Sequence, residues 1–263
     1  DDVKDNLKVF LKNQSEFKDY DFEGSGMNIM LDILAYNTHY LGFNANMLAN
    51  EMFLDSASLR SSVVSHAKTL GYEVQSARSP IATVNVALTT TNSSKTMPAG
   101  TAFSTTVDDV SYQFVTIADA TATNAGGFVT FNNVKIYEGT YITTKYIVDT
   151  SNPEQRFLLP DSRSDTSTLT VRVQNSASDS TVTTYTKATD ISQLSSTSSV
   201  YYLQEVENGN HEVYFGDGNI SKGLSDGNIV IFQYVVTNTT ASNGASTFTA
   251  PSTIDGVSDI TVT

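Results

Sequence analysis

Two copies of an Asp-Gly-Asn triplet have the residue types and spacing that come closest to a metal site in this sequence. Asp217-Gly218-Asn219 and Asp226-Gly227-Asn228 stand nine residues apart in the run HEVYFGDGNISKGLSDGNIV. Carboxylate and amide oxygens suit Ca²⁺, but calcium β-rolls need many copies with Gly-Gly, and an EF-hand needs a Glu at its twelfth position. We therefore predict the corners of a β segment here, with a cation site at Asp217 and Asp226 as the alternative.

Groupings of residues typical of enzymes are missing from the rest of the sequence. The histidines are His39, His66 and His211, and their spacing fits no metal-binding helix motif. No nucleophile elbow, phosphate-binding loop or dinucleotide fingerprint occurs. His66 shares a predicted helix face with Val63 and Leu70, so we interpret it as a packed or interface side chain. The sequence predicts no enzyme activity, no cofactor and no metal site.

The composition argues against several classes of partner. A formal charge of −13 over 263 residues would be repelled by nucleic-acid phosphates and by anionic membrane surfaces. No apolar run reaches the roughly 18 residues of a membrane-spanning helix, and there is no Cys for a disulfide or a thiolate metal site. We predict neither nucleic-acid binding nor insertion into a membrane.

The ends of the sequence indicate a piece of a longer protein. It begins with Asp1-Asp2 rather than Met, and it ends abruptly at Val262-Thr263. No charged segment followed by an apolar one resembles a signal peptide. We expect further chain outside this segment.

Helical periodicity dominates roughly the first 75 residues. Ser25 is the predicted N-cap of a long second helix over Gly26–Asn50, and a third helix opens at Asp55 or Ser56. Gly71 takes the C-cap position of that third helix. The apolar faces of the first and third helices comprise Val3, Leu7, Phe10 and Leu11, and Leu59, Val63, His66, Ala67 and Leu70, respectively.

From Pro80 onward the hydrophobic period becomes two, as in Val84, Val86 and Leu88, and clusters of Gly, Asn and Pro separate the runs. Asn208-Gly209 predicts a two-residue hairpin turn between two such runs. The predicted fold class is α+β: an N-terminal helical head, with one long helix and shorter helices, followed by mainly antiparallel β domains. We predict boundaries at 1–78, 79–152 and 153–263, and the two β regions can share sheets.

The long second helix is the most informative element for function. Met27, Leu34, Leu41 and Leu48 recur every seven residues, with Ile33, Tyr40 and Met47 beside them, and Asn37 and Asn44 are also seven apart. A buried Asn in a helical seam can fix register and partner choice. We define the helical band as Met27, Met30, Leu34, Asn37, Leu41, Asn44 and Leu48.

Two readings of the helical band remain open. The helix could pack only on the first and third helices. A 25-residue helix is roughly 37 Å long, however, and a short first helix with an irregular segment after it cannot cover that length. We therefore expect another chain to bury part of the helical band.

The same stretches resemble a known family. FEGSGMNIMLDILAYNTHYLGFNANMLANEMFLDSASLRSSVVSHAKTLGY, residues 22–72, is similar to the N-terminal helical region of the baseplate wedge protein of T4-like contractile-tailed phages. YYLQEVENGNHEVYFGDGNISKGLSDGNIVIFQYVVTNTTASNGA, residues 201–245, resembles the Gly-rich block of the broader baseplate J-like family, and MPAGTAF and RFLLPDSRSDTSTLTVRV also fit. The turn residues of that block, which mark the family, are Asn208, Gly209, Gly216, Asp217, Gly218, Asp226 and Gly227.

The resemblance implies a structural role in a virion, assembled in the host cytoplasm. In that family the wedge subunit is present in two copies per wedge, and its helical head joins a bundle with another wedge protein. Its distal part links neighbouring wedges into a ring around the central hub, and that ring opens when the tail contracts. The resemblance thus implies three kinds of contact: a second copy of the chain, other wedge proteins through the helices, and neighbouring wedges. Family members are much longer, so the ring-linking C-terminal part is expected to lie outside this sequence.

The alternative function is a tail-associated, β-rich module that binds carbohydrate or a cell surface. It predicts exposed aromatic side chains clustered on one sheet face, together with measurable glycan affinity. A peptidoglycan-cleaving tail enzyme would need a cleft with paired carboxylates or a histidine-bound metal, and the sequence offers neither.

Overall fold

The computed structural model describes residues 2–14, 16 and 25–263. The chain divides into two compact units, a helical unit over Asp1–Glu73 and a β unit over Val74–Thr263. Within the described residues, no helix combines the length and apolar character needed to cross a membrane. Most of the irregular segment predicted after the first helix lies outside the described residues.

The helical unit contains α1 (Asp2–Lys12), α2 (Gly26–Glu51) and α3 (Arg60–Thr69). Ser25 caps α2 as predicted: its backbone is extended, and its side-chain oxygen accepts a hydrogen bond from the Asn28 amide at 3.1 Å. In α1, Val3, Leu7 and Leu11 are half-buried. Phe10, predicted on the same stripe, is 63% exposed instead.

The predicted start of the third helix was wrong by about one turn. The helix begins at Arg60, with Leu59 as its N-cap, rather than after Asp55 or Ser56. Ser56 does not cap it, because its hydroxyl donates to the Asn50 carbonyl at 2.7 Å. At the other end Gly71 has a φ of +76°, as the predicted C-cap position requires.

The first sheet of the β unit is antiparallel and has the strand order β14–β1–β6–β4–β3, with β5 pairing to β6 and to β2. Alternate side chains of β1, Val84, Val86 and Leu88, are buried, so the period-two pattern marks the core face. The strands of this sheet are β1 (Ile81–Thr89), β2 (Ser94–Met97), β3 (Ala102–Val107), β4 (Val110–Val115), β5 (Ala120–Ala125), β6 (Phe128–Glu138) and β14 (Ile260–Val262).

The second sheet has the strand order β7–β13–β9–β10–β11–β12–β8. Its pairs are antiparallel except β10–β11, which is parallel. Val171, Val230 and Phe232 are fully buried in its own core. The strands are β7 (Thr140–Ile147), β8 (Phe157–Leu159), β9 (Ser164–Gln174), β10 (Val182–Lys187), β11 (Val200–Glu205), β12 (His211–Phe215) and β13 (Ile229–Val236). The predicted α+β class, with helices followed by largely antiparallel sheets, is confirmed.

Strand membership does not follow chain order in the β unit. β7 precedes residue 152 but belongs to the second sheet, and β14 lies near the end of the chain but pairs with β1 of the first sheet. The boundaries that we predicted after residues 78 and 152 stay predictions. β7 pairs with β13, and β14 pairs with β1, so in both cases the paired strands are far apart in sequence. No local sequence pattern indicates such pairs.

Candidate functional site

The helical band lies along one face of α2, and most of it is exposed within the chain. Leu34, Leu41 and Leu48 are 50%, 67% and 69% exposed, and Met30 is exposed to a similar extent. Side chains spaced alternately three and four residues apart share a helix face. Asn37 and Asn44 are also exposed, whereas Met27, at the start of the helix, is half-buried. The structure therefore places the seven predicted residues on one face of α2, where all of them except Met27 are exposed.

A second apolar stripe follows the band along α2. Each of its residues immediately precedes a band residue, as Ile33 precedes Leu34 and Tyr40 precedes Leu41, so it lies about 100° further round the helix. The rings of Tyr36 and Tyr40 are 5.2 Å apart between centroids. We define the second stripe as Ile29, Ile33, Tyr36, Tyr40, Phe43 and Met47, all of which are exposed. The sequence interpretation noted only three of them, beside the band.

α1 packs on a different face of α2. Asn28 and Leu31 are buried in α2, and Lys4 of α1 forms an ion pair with Asp32 at 2.6 Å between Nζ and Oδ1. Asn28 and Asp32 each precede a residue of the second stripe, which places them about 100° further round the helix again. α1 therefore packs on a third face of α2. Among the described residues, the second stripe and every band residue except Met27 stay exposed.

No charged side chain interrupts either apolar face. Between Asp32 and Glu51 the helix contains no Asp, Glu, Lys or Arg. These faces therefore offer another surface apolar packing and the two Asn side chains, but no charge pairing.

Glu51 holds the connection between α2 and α3, residues 52–59, which we call the elbow. Its carboxylate accepts hydrogen bonds from the Ser58 amide at 2.9 Å, the Ser58 hydroxyl at 2.8 Å and the Leu59 amide at 3.2 Å. The Leu59 amide is one of the free donors at the start of α3, so the side chain of Glu51 replaces a local N-cap. His66 of α3 places Nε2 2.9 Å from the Glu51 carbonyl oxygen. This places His66 as a packed side chain of the elbow.

The hydrogen bonds of the Glu51 carboxylate predict how the stability of the elbow depends on pH. Hydrogen bonds from Ser62 and from Ser58 lower the pKa of Glu51 from 4.5 to about 2. Because the folded pKa lies below the unfolded one, the carboxylate stabilises the elbow fully above about pH 4.5, and this contribution is lost as the pH falls towards about 2. We expect an NMR titration of the Glu51 side-chain carboxyl to show a midpoint near 2.

The Ser58 and Leu59 amide signals should titrate with the carboxyl, and Glu51→Gln should remove that step. Gln keeps the size of the side chain and cannot ionise, so it also assigns the titrating resonance. A midpoint near the ordinary value of 4.5 would contradict the hydrogen-bonded elbow.

The predicted turn residues lie in the β unit. Asn208 and Gly209 both have positive φ, at 60° and 76°, in the hairpin between β11 and β12. The loop is one residue longer than predicted, because the Val206 amide bonds to the Asn210 carbonyl at 2.8 Å around residues 207–209. Hairpin loops of three residues with a left-handed position are common.

The two Asp-Gly-Asn triplets also lie at turns. Asp217 accepts hydrogen bonds from the amide and the side chain of Asn219, which hold the pKa of its carboxyl below the usual range. Asp226 accepts from the Thr150 amide at 3.0 Å. Gly218 and Gly227 have φ values of 86° and 74°. Asp217 is thus engaged in its own turn, whereas Asp226 holds a second loop through Thr150, 76 residues earlier in the chain. Gly216, just before the first triplet, lies closely against Ser221.

The histidines lie on separate elements: His39 on α2, His66 on α3 and His211, which is buried, on β12. In the part of the chain that the structure describes, no three His, Asp or Glu side chains are grouped in a way that could hold a metal ion. The helical faces therefore remain the strongest candidate for the functional site.

Comparison with known proteins places the helical unit and the second sheet in one family. A family profile described as "Baseplate wedge protein gp6-like, helical domain" matches residues 1–72, and a profile described as "Bacteriophage baseplate wedge protein gp6, third domain" matches residues 141–257. The "Baseplate wedge protein gp6" of Enterobacteria phage T4 is 31% identical over 283 aligned positions, which cover 99% of this chain. The chain belongs to the gp6-like family of baseplate wedge proteins.

Membership of the gp6-like family confirms several predictions. These wedge proteins are structural components of the phage tail baseplate, so the predicted location in the virion tail and the absence of enzyme activity follow from the family. The helical profile contains every residue of the band and of the second stripe, and the third-domain profile contains the seven predicted turn residues. The chain spans 41% of the length of the T4 relative.

Proposed function

We propose that this chain joins partner proteins of the baseplate wedge through a helical bundle built on α2. The observation that carries the proposal is the exposure of two apolar faces on one helix, with α1 on the remaining face. Ten large apolar side chains of α2 are exposed in the chain. A monomer rarely leaves an apolar surface of this extent in water.

The energetics require several of these side chains to be buried together. Full burial of one Leu or Phe side chain contributes about 1.5–3 kcal/mol, whereas association costs about 4–15 kcal/mol before any contact is counted. One exposed Leu would not offset that cost. Two continuous stripes, each running through most of α2, can do so.

The partners that we propose are a second copy of this chain and other wedge proteins, both bound through helices. Asn37 and Asn44 favour a partner that presents polar groups with the same seven-residue spacing, because an unmatched Asn in an apolar seam is destabilising. A second copy of the chain, aligned in parallel, meets this requirement. We propose the band as the face that this copy covers, and the second stripe as the face for a different wedge protein.

We further propose that the subunit contributes to the ring of neighbouring wedges around the central hub, which rearranges when the tail contracts. This part of the proposal is supported by the family resemblance rather than by a contact in this chain. The chain matches 41% of its T4 relative, so contacts made by the rest of such a protein lie outside it. Neither nucleic acid nor a membrane has a role in this proposal, in keeping with the charge of −13.

No observation favours the alternative of a carbohydrate-binding module. Among the described residues, Phe128 and Tyr214 are the exposed aromatic side chains of the β unit, and Tyr214 stacks on Tyr202 at 5.1 Å. The helical unit exposes more aromatic side chains: Phe10, Tyr36, Tyr40, Phe43, Phe53 and Tyr72. Exposed aromatic side chains are thus concentrated in the helical unit, and three of them lie on α2.

The proposal is tested by measuring the mass of the chain alone and together with wedge proteins of the same baseplate. By light scattering after size exclusion, the chain alone should show a mass that rises above 28.4 kDa with concentration. Co-expression with the other wedge proteins should yield a defined complex that contains it. A monomer at all concentrations that also fails to co-purify with any wedge protein would refute the proposal.

A further inference from the structure

The segment that leads into the first strand of the β unit has no regular secondary structure. Residues 74–79 run between Glu73, the last residue of the helical unit, and Pro80, which precedes β1. We call residues 74–79 the strap. Its backbone belongs to neither a helix nor a strand, and yet Ser79 is buried. The hydrogen bonds that attach the strap to the β unit each involve a side chain, either of the strap or of the β unit.

One attachment is a buried carboxylate of β9. The Ser79 amide donates to Asp165 Oδ2 at 2.8 Å, and Asp165 is 1% exposed. The Arg78 guanidinium lies 3.9 Å from the other carboxylate oxygen, with most of its own side chain in solvent. A charged acceptor makes this a strong hydrogen bond, and it joins residues that are 86 positions apart.

The other attachment is a hydroxyl of the strap itself. Ser76 Oγ accepts two hydrogen bonds from Thr166, one from the amide and one from the hydroxyl, both at 2.9 Å. Thr166 follows Asp165 directly on β9. Two neighbouring residues of one strand thus hold two points of the strap that lie three residues apart.

β1, which follows the strap, is held in a different way. It pairs through its backbone with β6 from Ile81 to Thr89, and the Pro80 carbonyl already accepts from the Glu138 amide at 2.9 Å. Asp165 also keeps local partners of its own, because the Ser167 amide and hydroxyl donate to Oδ1 at 2.9 and 2.6 Å. Loss of the strap would therefore leave β1 paired and Asp165 still hydrogen-bonded.

We propose that the strap is a releasable latch that sets the length of chain between the helical unit and the β unit. When Ser76 and Ser79 leave Thr166 and Asp165, the four residues 76–79 become free. An extended chain spans at most about 3.3–3.6 Å per residue, so release adds at most about 14 Å of reach. Both folded units remain intact, since no strand pair is broken.

This latch does not depend on the proposed wedge contacts, because it acts within the β unit and is measurable on the chain alone. It supplies a way to lengthen the chain between the two folded units without unfolding either of them. Contacts with few hydrogen bonds and without a backbone ladder are the first to open in a folded protein.

Trypsin provides a direct test, because Arg78 lies within the strap and is cleaved only when the strap leaves the surface. With the chain under native conditions, we expect cleavage after Arg78 while β1 and β6 stay protected. Ser76→Ala removes the acceptor of two hydrogen bonds and should raise the rate of this cleavage about tenfold. Gln75→Ala, at an exposed neighbouring position, is the matched control and should leave the rate within about twofold.

A disulfide supplies the opposite test. The chain has no Cys, so the double variant Ser76→Cys and Thr166→Cys introduces the one pair that can form. The oxidised pair should suppress cleavage after Arg78, and reduction should restore it. The latch is disproved if Ser76→Ala cleaves no faster than Gln75→Ala, or if cleavage after Arg78 occurs only together with loss of the sheet signal. These rates come from the serine variant and so remain decisive even if the disulfide does not form.

Discussion

Replacement of Leu41 by Asp is expected to abolish assembly of the chain with its wedge partners while both units stay folded. Leu41 is 67% exposed, so the free chain loses little on substitution. In the proposed bundle the same position is buried, and an unpaired carboxylate there would cost several kcal/mol in addition to the lost Leu burial. We expect the association to weaken by about 4 kcal/mol or more, which is roughly a thousandfold.

Leu34→Asp should have the same effect, since Leu34 lies one heptad earlier on the band. Asn46→Asp is the matched control: it adds the same charge to an exposed position of the same helix, but that position belongs neither to the band nor to the second stripe. The measurement is co-purification of each variant with the wedge proteins, with circular dichroism to check that the helices and sheets persist. Normal co-purification of both Leu variants would show that the band is not the interface.

Much of the helical unit could be predicted from the sequence because its determinants are local. The Ser25 cap bonds to an amide three residues away, and the heptad spacing of the band is preserved in any straight helix. The second stripe was equally readable, since its residues repeat with the same alternation of three and four. The sequence interpretation includes only Ile33, Tyr40 and Met47, because Ile29, Tyr36 and Phe43 do not adjoin the seven-residue series that starts at Met27.

The start of α3 could not be predicted in the same way. Asp55 and Ser56 are good N-cap residues, but the helix begins where the Glu51 carboxylate, seven or eight residues back, meets the Ser58 and Leu59 amides. Whether such a side chain folds back depends on the path of the elbow. That path is set by contacts such as the one between His66 and the Glu51 carbonyl.

Contacts between the end of β6 and the residues after β13 are even harder to predict from the sequence. Glu138 is fully buried, and its carboxylate accepts from the Thr237 hydroxyl, at 2.6 Å, and from the amide and side chain of Asn238. These partners are about 100 residues away along the chain. A single Glu at the end of a strand pattern looks like a surface residue, because charged side chains are rarely buried without partners. Only the folded arrangement of β6 and β13 reveals its role.

Gly139 directly follows Glu138, and Gly139→Ala is expected to destabilise the β unit strongly. Gly139 lies between Glu138, which pairs with Phe114 in the first sheet, and Thr140, which pairs with Val236 in the second. Its φ is +127°, and a Cβ there would collide with the backbone carbonyl oxygen of Val236 and lie 2.8 Å from Val235 Cγ1. Neither sheet can move away from the added Cβ without breaking strand pairs on one side of Gly139.

The expected loss of unfolding free energy is about 3 kcal/mol or more, from left-handed backbone strain together with steric overlap in a packed region. Gly127→Ala separates these two contributions, because Gly127 also has a positive φ, +94°, but an added Cβ meets nothing within 4 Å. We expect that control to lose only about 1–2 kcal/mol. Urea unfolding followed by near-ultraviolet circular dichroism measures both, since the buried Tyr185, Tyr201 and Tyr234 report on the β unit.

The two strong predictions differ in which unit they affect. Leu41→Asp should remove partner binding from a folded chain, whereas Gly139→Ala should lower the stability of the β unit and leave the helical content at α1 to α3 unchanged. Equal losses of unfolding free energy for Gly139→Ala and Gly127→Ala would mean that the chain tolerates a side chain at the point where it passes from the first sheet to the second. The passage from β6 to β7 would then not be the constraint that ties the two sheets into one unit.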